Sequence, residues 1–129
     1  MQVVELDLQG NDFGDRISPK AFVGVGRRLL SLNLAWSNIT RLSAKSFRGL
    51  SAVLNLSLAE NRLRRLPTGL FDDLTGIERL SLAGNPDLYD LPSDLFRHQG
   101  NSLKVYLFKF SIFCDKKQHN EEKIKNSLC

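Results

Sequence analysis

The chain's two cysteines and two histidines are the first place to look for chemistry. Cys114, His119 and Cys129 are three potential zinc ligands. Closed zinc sites are tetrahedral and use regularly spaced ligands, and these three are spaced irregularly within a polar segment. Neither a resident metal nor a cofactor is expected. Two cysteines cannot establish a disulfide framework, so a Cys114–Cys129 pair stays an open alternative. His98 stands apart, in different surroundings. No glycine-rich phosphate loop is present, and no nucleophile has a base beside it in sequence. The residues do not suggest an enzyme.

Recognition is the remaining chemistry. Polar and charged residues recur between and just after pairs of leucines: Glu5, Asp7 and Gln9; Ser31, Asn33 and Trp36; Asn55, Ser57 and Glu60; Glu78, Arg79 and Ser81. A final set reads Lys104, Leu107 and Lys109. Alternation along a strand would turn these away from the core, onto one face. Their charge runs from acidic (Glu5, Asp7) through mixed (Glu60, Glu78, Arg79) to basic (Lys104, Lys109). Trp36 occupies a place where the corresponding residues are Gly10, Glu60 and Gly84, and an exposed Trp can anchor an interface. The expected contacts with a protein ligand are Trp36, Asp7, Asn33, Glu60, Glu78, Arg79 and Lys104. Asn38-Ile39-Thr40 and Asn55-Leu56-Ser57 are acceptor patterns for N-glycosylation. Arg62, Arg64 and Arg65 form a basic cluster after a strand and should face the side or back.

These residues must be positioned by a repeated element. The segment VLNLSLAENRLRRLPTGLFDDL begins at Val53, and similar segments begin at Leu29 and Ile77. A further copy starts at Val3, and a poorer fifth, LKVYLFKFSIF, at Leu103, which places it 26 residues after Ile77. Aligned on their first residues, the copies follow apolar-x-x-Leu-x-Leu-x-x-Asn-x-apolar, three of them nearly perfectly. Such a unit cannot bury its apolar face alone and must stack on its neighbours. Ile17, Phe22, Leu42, Phe47, Leu66, Phe71, Leu91 and Phe96 should point inward on the return path, with the four Phe stacked as a spine. Asn11, Asn61 and Asn85 hold the ninth position, where a buried amide can bond the adjoining turns. Ser37 stands there in the second copy and should make a shorter version of that bond.

The chain resembles the leucine-rich repeat family over residues 3–113. Leu66-Pro67 before Phe71, Leu91-Pro92 before Phe96, and the AFVGVGRRLLSLNL and SFRGLSAVLNLSL junctions are similar to the 24-residue repeats of chaoptin-like adhesion proteins and Toll-like receptor ectodomains. The resemblance implies an α/β solenoid: parallel strands on the concave face, loops and short helical turns on the convex face. It also implies a non-catalytic module for protein recognition, of receptor or cell-adhesion type, at the cell surface or outside it. An intracellular scaffold or regulatory subunit in the cytoplasm is the alternative.

Composition adds limits. The net charge of +4 divides unevenly: residues 1–100 hold 12 basic and 11 acidic side chains, and residues 101–129 hold 6 and 3. A balanced array gives no reason to expect a nucleic-acid partner. No apolar run is long enough for a transmembrane segment. The opening MQVVELDLQGND lacks the basic-then-apolar pattern of a signal peptide, which suits the alternative or a fragment of a longer ectodomain. The array is expected to occupy residues 1–113, followed by a polar, Lys-rich, frayed or disordered tail at 114–129. Without cysteine-rich caps, self-association through the uncapped ends is a further expectation.

Overall fold

A computed structural model describes residues 4–14 and 16–107. The boundary expected at 113/114, together with Lys109, Cys114, His119 and Cys129, lies outside the described residues. Five strands of three residues each, β1 (Glu5–Asp7), β2 (Ser31–Asn33), β3 (Asn55–Ser57), β4 (Arg79–Ser81) and β5 (Lys104–Tyr106), form one parallel sheet in chain order. Parallel neighbours need a crossover between them, and each repeat supplies one as its return path. Pairing is extended beyond the strands by bonds such as Leu34 N to Ser57 O and Trp36 N to Ala59 O. The return begins with parallel bridges between Arg16 and Arg41 and between Arg65 and Asp90.

The return path is the expected one of loops and short turns. It consists of single turns, such as Ala21 N to Ser18 O and Leu70 N to Pro67 O. No helix is present among the described residues. Pro67 and Pro92 open these turns, and Gly24, Gly49 and Gly69 adopt positive φ within or after them. Glycine at positive φ ends a turn before it can extend into a helix. The array is therefore a β-solenoid of about four turns.

Inside, Leu32, Leu56 and Leu80 occupy the strand centres and are at most 2% exposed, as is Val105. Leu34, Leu58 and Leu82 follow two residues later and are fully buried. The phenylalanine spine forms as its spacing predicts. Phe22, Phe47, Phe71 and Phe96 stack in sequence, with centroids 6.4, 6.3 and 5.7 Å apart and interplanar angles of 25°, 8° and 3°. Nearly parallel rings at such separations are offset, the arrangement favoured by their quadrupoles.

The fifth repeat sits in a different register from that expected. β4 pairs Arg79 with Lys104 and Leu80 with Val105, an offset of 25 residues rather than 26. Leu103, Val105 and Leu107 turn inward, while Lys104 and Tyr106 turn outward. Leu107 is thus core, and Tyr106 takes the place expected for it on the open face. Because a one-residue slip exchanges the two faces of a strand, this choice turns Val105 and Leu107 inward and Tyr106 outward, while Lys104 keeps its expected place.

On the back of the solenoid, Arg97 clamps Asp72 through Nε to Oδ1 at 3.1 Å and Nη2 to Oδ2. The hydrogen bonds from Arg97 hold the Asp72 carboxyl below its usual range, against a small desolvation effect and with help from the charges of Arg97, His98 and Lys45. A depressed folded-state pKa stabilises above the unfolded value, and that contribution is lost as pH falls through the folded value. Asp72→Asn is therefore expected to lower the urea midpoint at neutral pH. The difference should shrink as pH falls below the usual carboxylate range, toward the lowered folded-state value. Urea titrations of both proteins across this range check the sign.

Candidate recognition site

The open face of the sheet is built by the outward residue at each end of every strand. Its first row is Glu5, Ser31, Asn55, Arg79 and Lys104, and its second is Asp7, Asn33, Ser57, Ser81 and Tyr106. The charge gradient is sharper here than in the sequence. Acidic side chains lie on β1, the two middle strands are neutral, and basic ones lie on β4 and β5. Tyr106 adds an aromatic at 40% exposure.

The structure divides the expected contact residues among three places. Asp7, Asn33, Arg79 and Lys104 are on the face itself. Glu78 precedes β4, with its N–H bonded to Leu54 O, and lies at the entry rim beside the row Val4, Leu30 and Leu54. Trp36 and Glu60 stand at the exit rim, beyond the strand ends.

Asp7 and Asn33 are already engaged. Asp7 Oδ1 accepts from Gln9 N at 3.1 Å, and Asn33 Oδ1 accepts from Ala35 N at 3.0 Å. Ser57 Oγ does the same for Ala59 N at 3.4 Å. A short oxygen-bearing side chain at this position closes a local turn on the residue two places on. It thereby ends β1, β2 and β3 and starts the bend toward the rim. This row of turns was visible in the sequence only as polar residues between leucines.

The exit rim has an unusual backbone. Gly10, Trp36, Glu60 and Gly84 all adopt positive φ, at 77°, 55°, 56° and 72°. Glycine takes this conformation at no steric cost, whereas a residue with a Cβ loses roughly 1–3 kcal/mol there. Trp36 is 62% exposed. It does not close over Gly10, since a Cβ built on that glycine meets nothing within 4 Å. Glu60 instead reaches over Gly84, where any Cβ would collide with its carboxylate. The alternation of glycine with large residues at equivalent positions was the available signal.

The asparagines of the ninth position differ among themselves. Asn61 Nδ2 donates to Leu34 O, Leu58 O and Ala59 O, while its Oδ1 accepts from Ser37 N and Ile39 N. Asn85 Nδ2 reaches Leu58 O and Leu82 O, and its Oδ1 accepts from Leu63 N. Ser37 is fully buried, with Oγ 3.0 Å from Ala35 O. Asn11, expected to be buried, is exposed, and among the described residues its side chain bonds only Leu8 O, at 2.9 Å. Among the described residues no turn packs on its outer side, so the cross-repeat half of its bonds is missing.

The two glycosylation patterns lie in unlike places. Asn38 is exposed on a turn at φ 54°, with Nδ2 3.5 Å from Asp12 Oδ1. Asn55 is half-buried within β3, and Arg79 Nη1 lies 3.5 Å from its Oδ1. Any glycan on Asn55 would stand on the open face.

Arg62, Arg64 and Arg65 line the flank that follows the strands, in a groove of about 810 Å³. Arg41 joins them from the preceding repeat and Asp87 and Asp90 from the next. The sequence did not mark Arg41, although Arg16, Arg41 and Arg65 each precede the inward residue that opens the return path. Among the described residues no group of His, Cys, Asp and Glu could hold a metal ion. No helix among them is long and apolar enough to cross a membrane.

Comparison with known proteins agrees with this geometry. The family model described as Leucine rich repeat matches residues 27–86. Among solved structures, the chain is similar to the leucine-rich repeat domain of APL1B, with a TM-score of 0.70 and 23% identity. That likeness covers 81% of this chain and 29% of the other, so this chain spans less than a third of its length. At such identity the likeness is one of fold. No curated protein matches the sequence.

Proposed function

This chain is built of leucine-rich repeats, and from that premise we propose that it is a non-catalytic recognition module of an extracellular receptor or adhesion protein. Its ligand is a protein that docks on the open face and exit rim of the sheet. The observation that carries this reading is Trp36. A large apolar side chain is held mostly in solvent on a backbone that favours glycine, beside a preformed, charge-graded face. Local strain of this kind is concentrated at functional sites. Because the strands are locked by the stacked core, little ordering accompanies binding, which favours affinity. The acidic β1 end and the basic β4–β5 end would orient a partner of opposite polarity.

Two features support the extracellular setting. Asn38 is an exposed glycosylation pattern on a turn, clear of the open face, and the Leu-Pro steps before Phe71 and Phe96 match the extracellular repeat type. The chain would then be one segment of a longer ectodomain. Expression through a secretory route should give a glycan mass that Asn38→Gln removes. An unmodified chain, secreted and folded, would favour the intracellular scaffold.

The contact role of Trp36 has its own test. Trp36→Gly relieves the backbone, so stability should be unchanged or raised by up to about 1 kcal/mol. Affinity for a partner found by screening cell-surface ectodomains should nevertheless fall at least about tenfold, the usual scale of an aromatic anchor. Loss of stability with retained binding would make Trp36 a structural residue and sink the contact assignment.

A further inference from the structure

The flank groove is chemically distinct from the open face. Its walls carry Arg41, Arg62, Arg64 and Arg65, drawn from two adjacent repeats, and Leu66 and Pro67 contribute apolar lining. Arg65 is matched by Asp90 at 3.2 Å. Among the described residues Arg62 and Arg64 make no ion pair, and both are exposed. Arg62, Arg64 and Arg65 follow β3 and Arg41 follows β2, so the guanidinium groups form a cluster of cationic positions rather than a single point. Guanidinium is the side chain that engages tetrahedral oxyanions through paired hydrogen bonds.

We infer that this groove binds a sulfated polysaccharide, at a site separate from the protein-recognition face. Three observations select that ligand class. The space, about 810 Å³, is several times larger than one anion requires, which suits a chain of several sugars. Half-buried Pro67 and Pro92 beside arginines suit a sugar ring, which presents a hydrocarbon face and carries its sulfates at the edge. Asp87 and Asp90 lie at one end, where they can accept from sugar hydroxyls.

The test is binding of the full chain to immobilised heparin, with fully desulfated heparin, polyuridylate and polyglutamate as competitors. Saturable binding is expected, weakened by salt and displaced by free heparin but by none of the three competitors. Arg62→Ser with Arg64→Ser should lower the affinity roughly tenfold, through loss of charge-assisted bonds. Arg27→Ser with Arg28→Ser, exposed arginines outside the groove, should leave it within about twofold, as a change of bulk charge alone would predict little. Circular dichroism of each variant confirms an unchanged fold. Trp36→Ala should bind heparin normally, which separates this site from the open face. Equal binding by the Arg62/Arg64 variant, displacement by desulfated heparin, tighter binding of polyuridylate or polyglutamate, or no saturable binding would each overturn the assignment.

Discussion

Phe71→Ala is expected to cost about 3–5 kcal/mol, the range for removing a fully buried aromatic from a close-packed core. Phe71 is 1% exposed and lies in the middle of the spine, 6.3 Å from Phe47 and 5.7 Å from Phe96. Its loss opens a cavity shared by two repeat interfaces. In a solenoid, stability is approximately a sum of repeats and nearest-neighbour interfaces, so weakening two interfaces together should also split the unfolding transition. Phe22→Ala is the comparison. Phe22 is 6% exposed, stacks on Phe47 alone among the described rings, and does so at 25°. Its substitution should cost at least about 1 kcal/mol less than that of Phe71. Phe71→Leu should cost less than Phe71→Ala, because part of the volume is retained. Urea unfolding followed by circular dichroism measures all three. Trp36 fluorescence would serve poorly, since the indole is already in solvent. Equal losses at Phe22 and Phe71 would mean that the stack does not act as a spine.

Asn61→Ala should destabilise by about 3 kcal/mol or more, for a different reason. Its amide satisfies backbone groups of its own turn and of the preceding repeat, and alanine would leave several of them buried without partners. Each such group costs about 1–3 kcal/mol. The bonds to Ser37 N and Ile39 N, at 2.9 and 3.1 Å, cross the repeat boundary. A reduced denaturant slope is therefore expected as well, from loss of coupling between the two repeats. Asn11→Ala removes the same side chain at the same repeat position and should cost about 0.5 kcal/mol, the net worth of one exposed bond. Asn61→Ser should fall between the two, since Ser37 already performs a reduced form of this role. A large loss at Asn11, or a small one at Asn61, would show that packing rather than amide bonding sets the value of this position.

Much of this architecture was legible before any coordinates. Leucines alternating with polar residues at a spacing near 24 implied short parallel strands, and the single Phe per copy implied the spine. Both follow from counting, because a repeated element that cannot cover itself has only its own copies to pack against. The ninth-position asparagines were legible for the same reason. Their unequal burial was not, since it depends on whether another turn lies alongside.

The remaining decisions needed packing. In LKVYLFKF nearly every position after Lys104 is apolar or aromatic, so alternation alone permits either register. Pairing Leu80 with Val105 selects the 25-residue offset, burying Leu107 and turning Tyr106 outward. The open-face residues looked equivalent as polar positions. Backbone bonding separates Asp7 and Asn33, which close turns, from Arg79 and Lys104, which project from the strands. The raised φ of Trp36 and Glu60, and the groove joining Arg41 to the Arg62–Arg65 cluster, involve residues from different repeats or a backbone state that residue type conceals. Periodicity specifies which elements exist and which side is apolar. Register, backbone handedness at single residues, and the meeting of side chains from successive turns arise only when those elements stack.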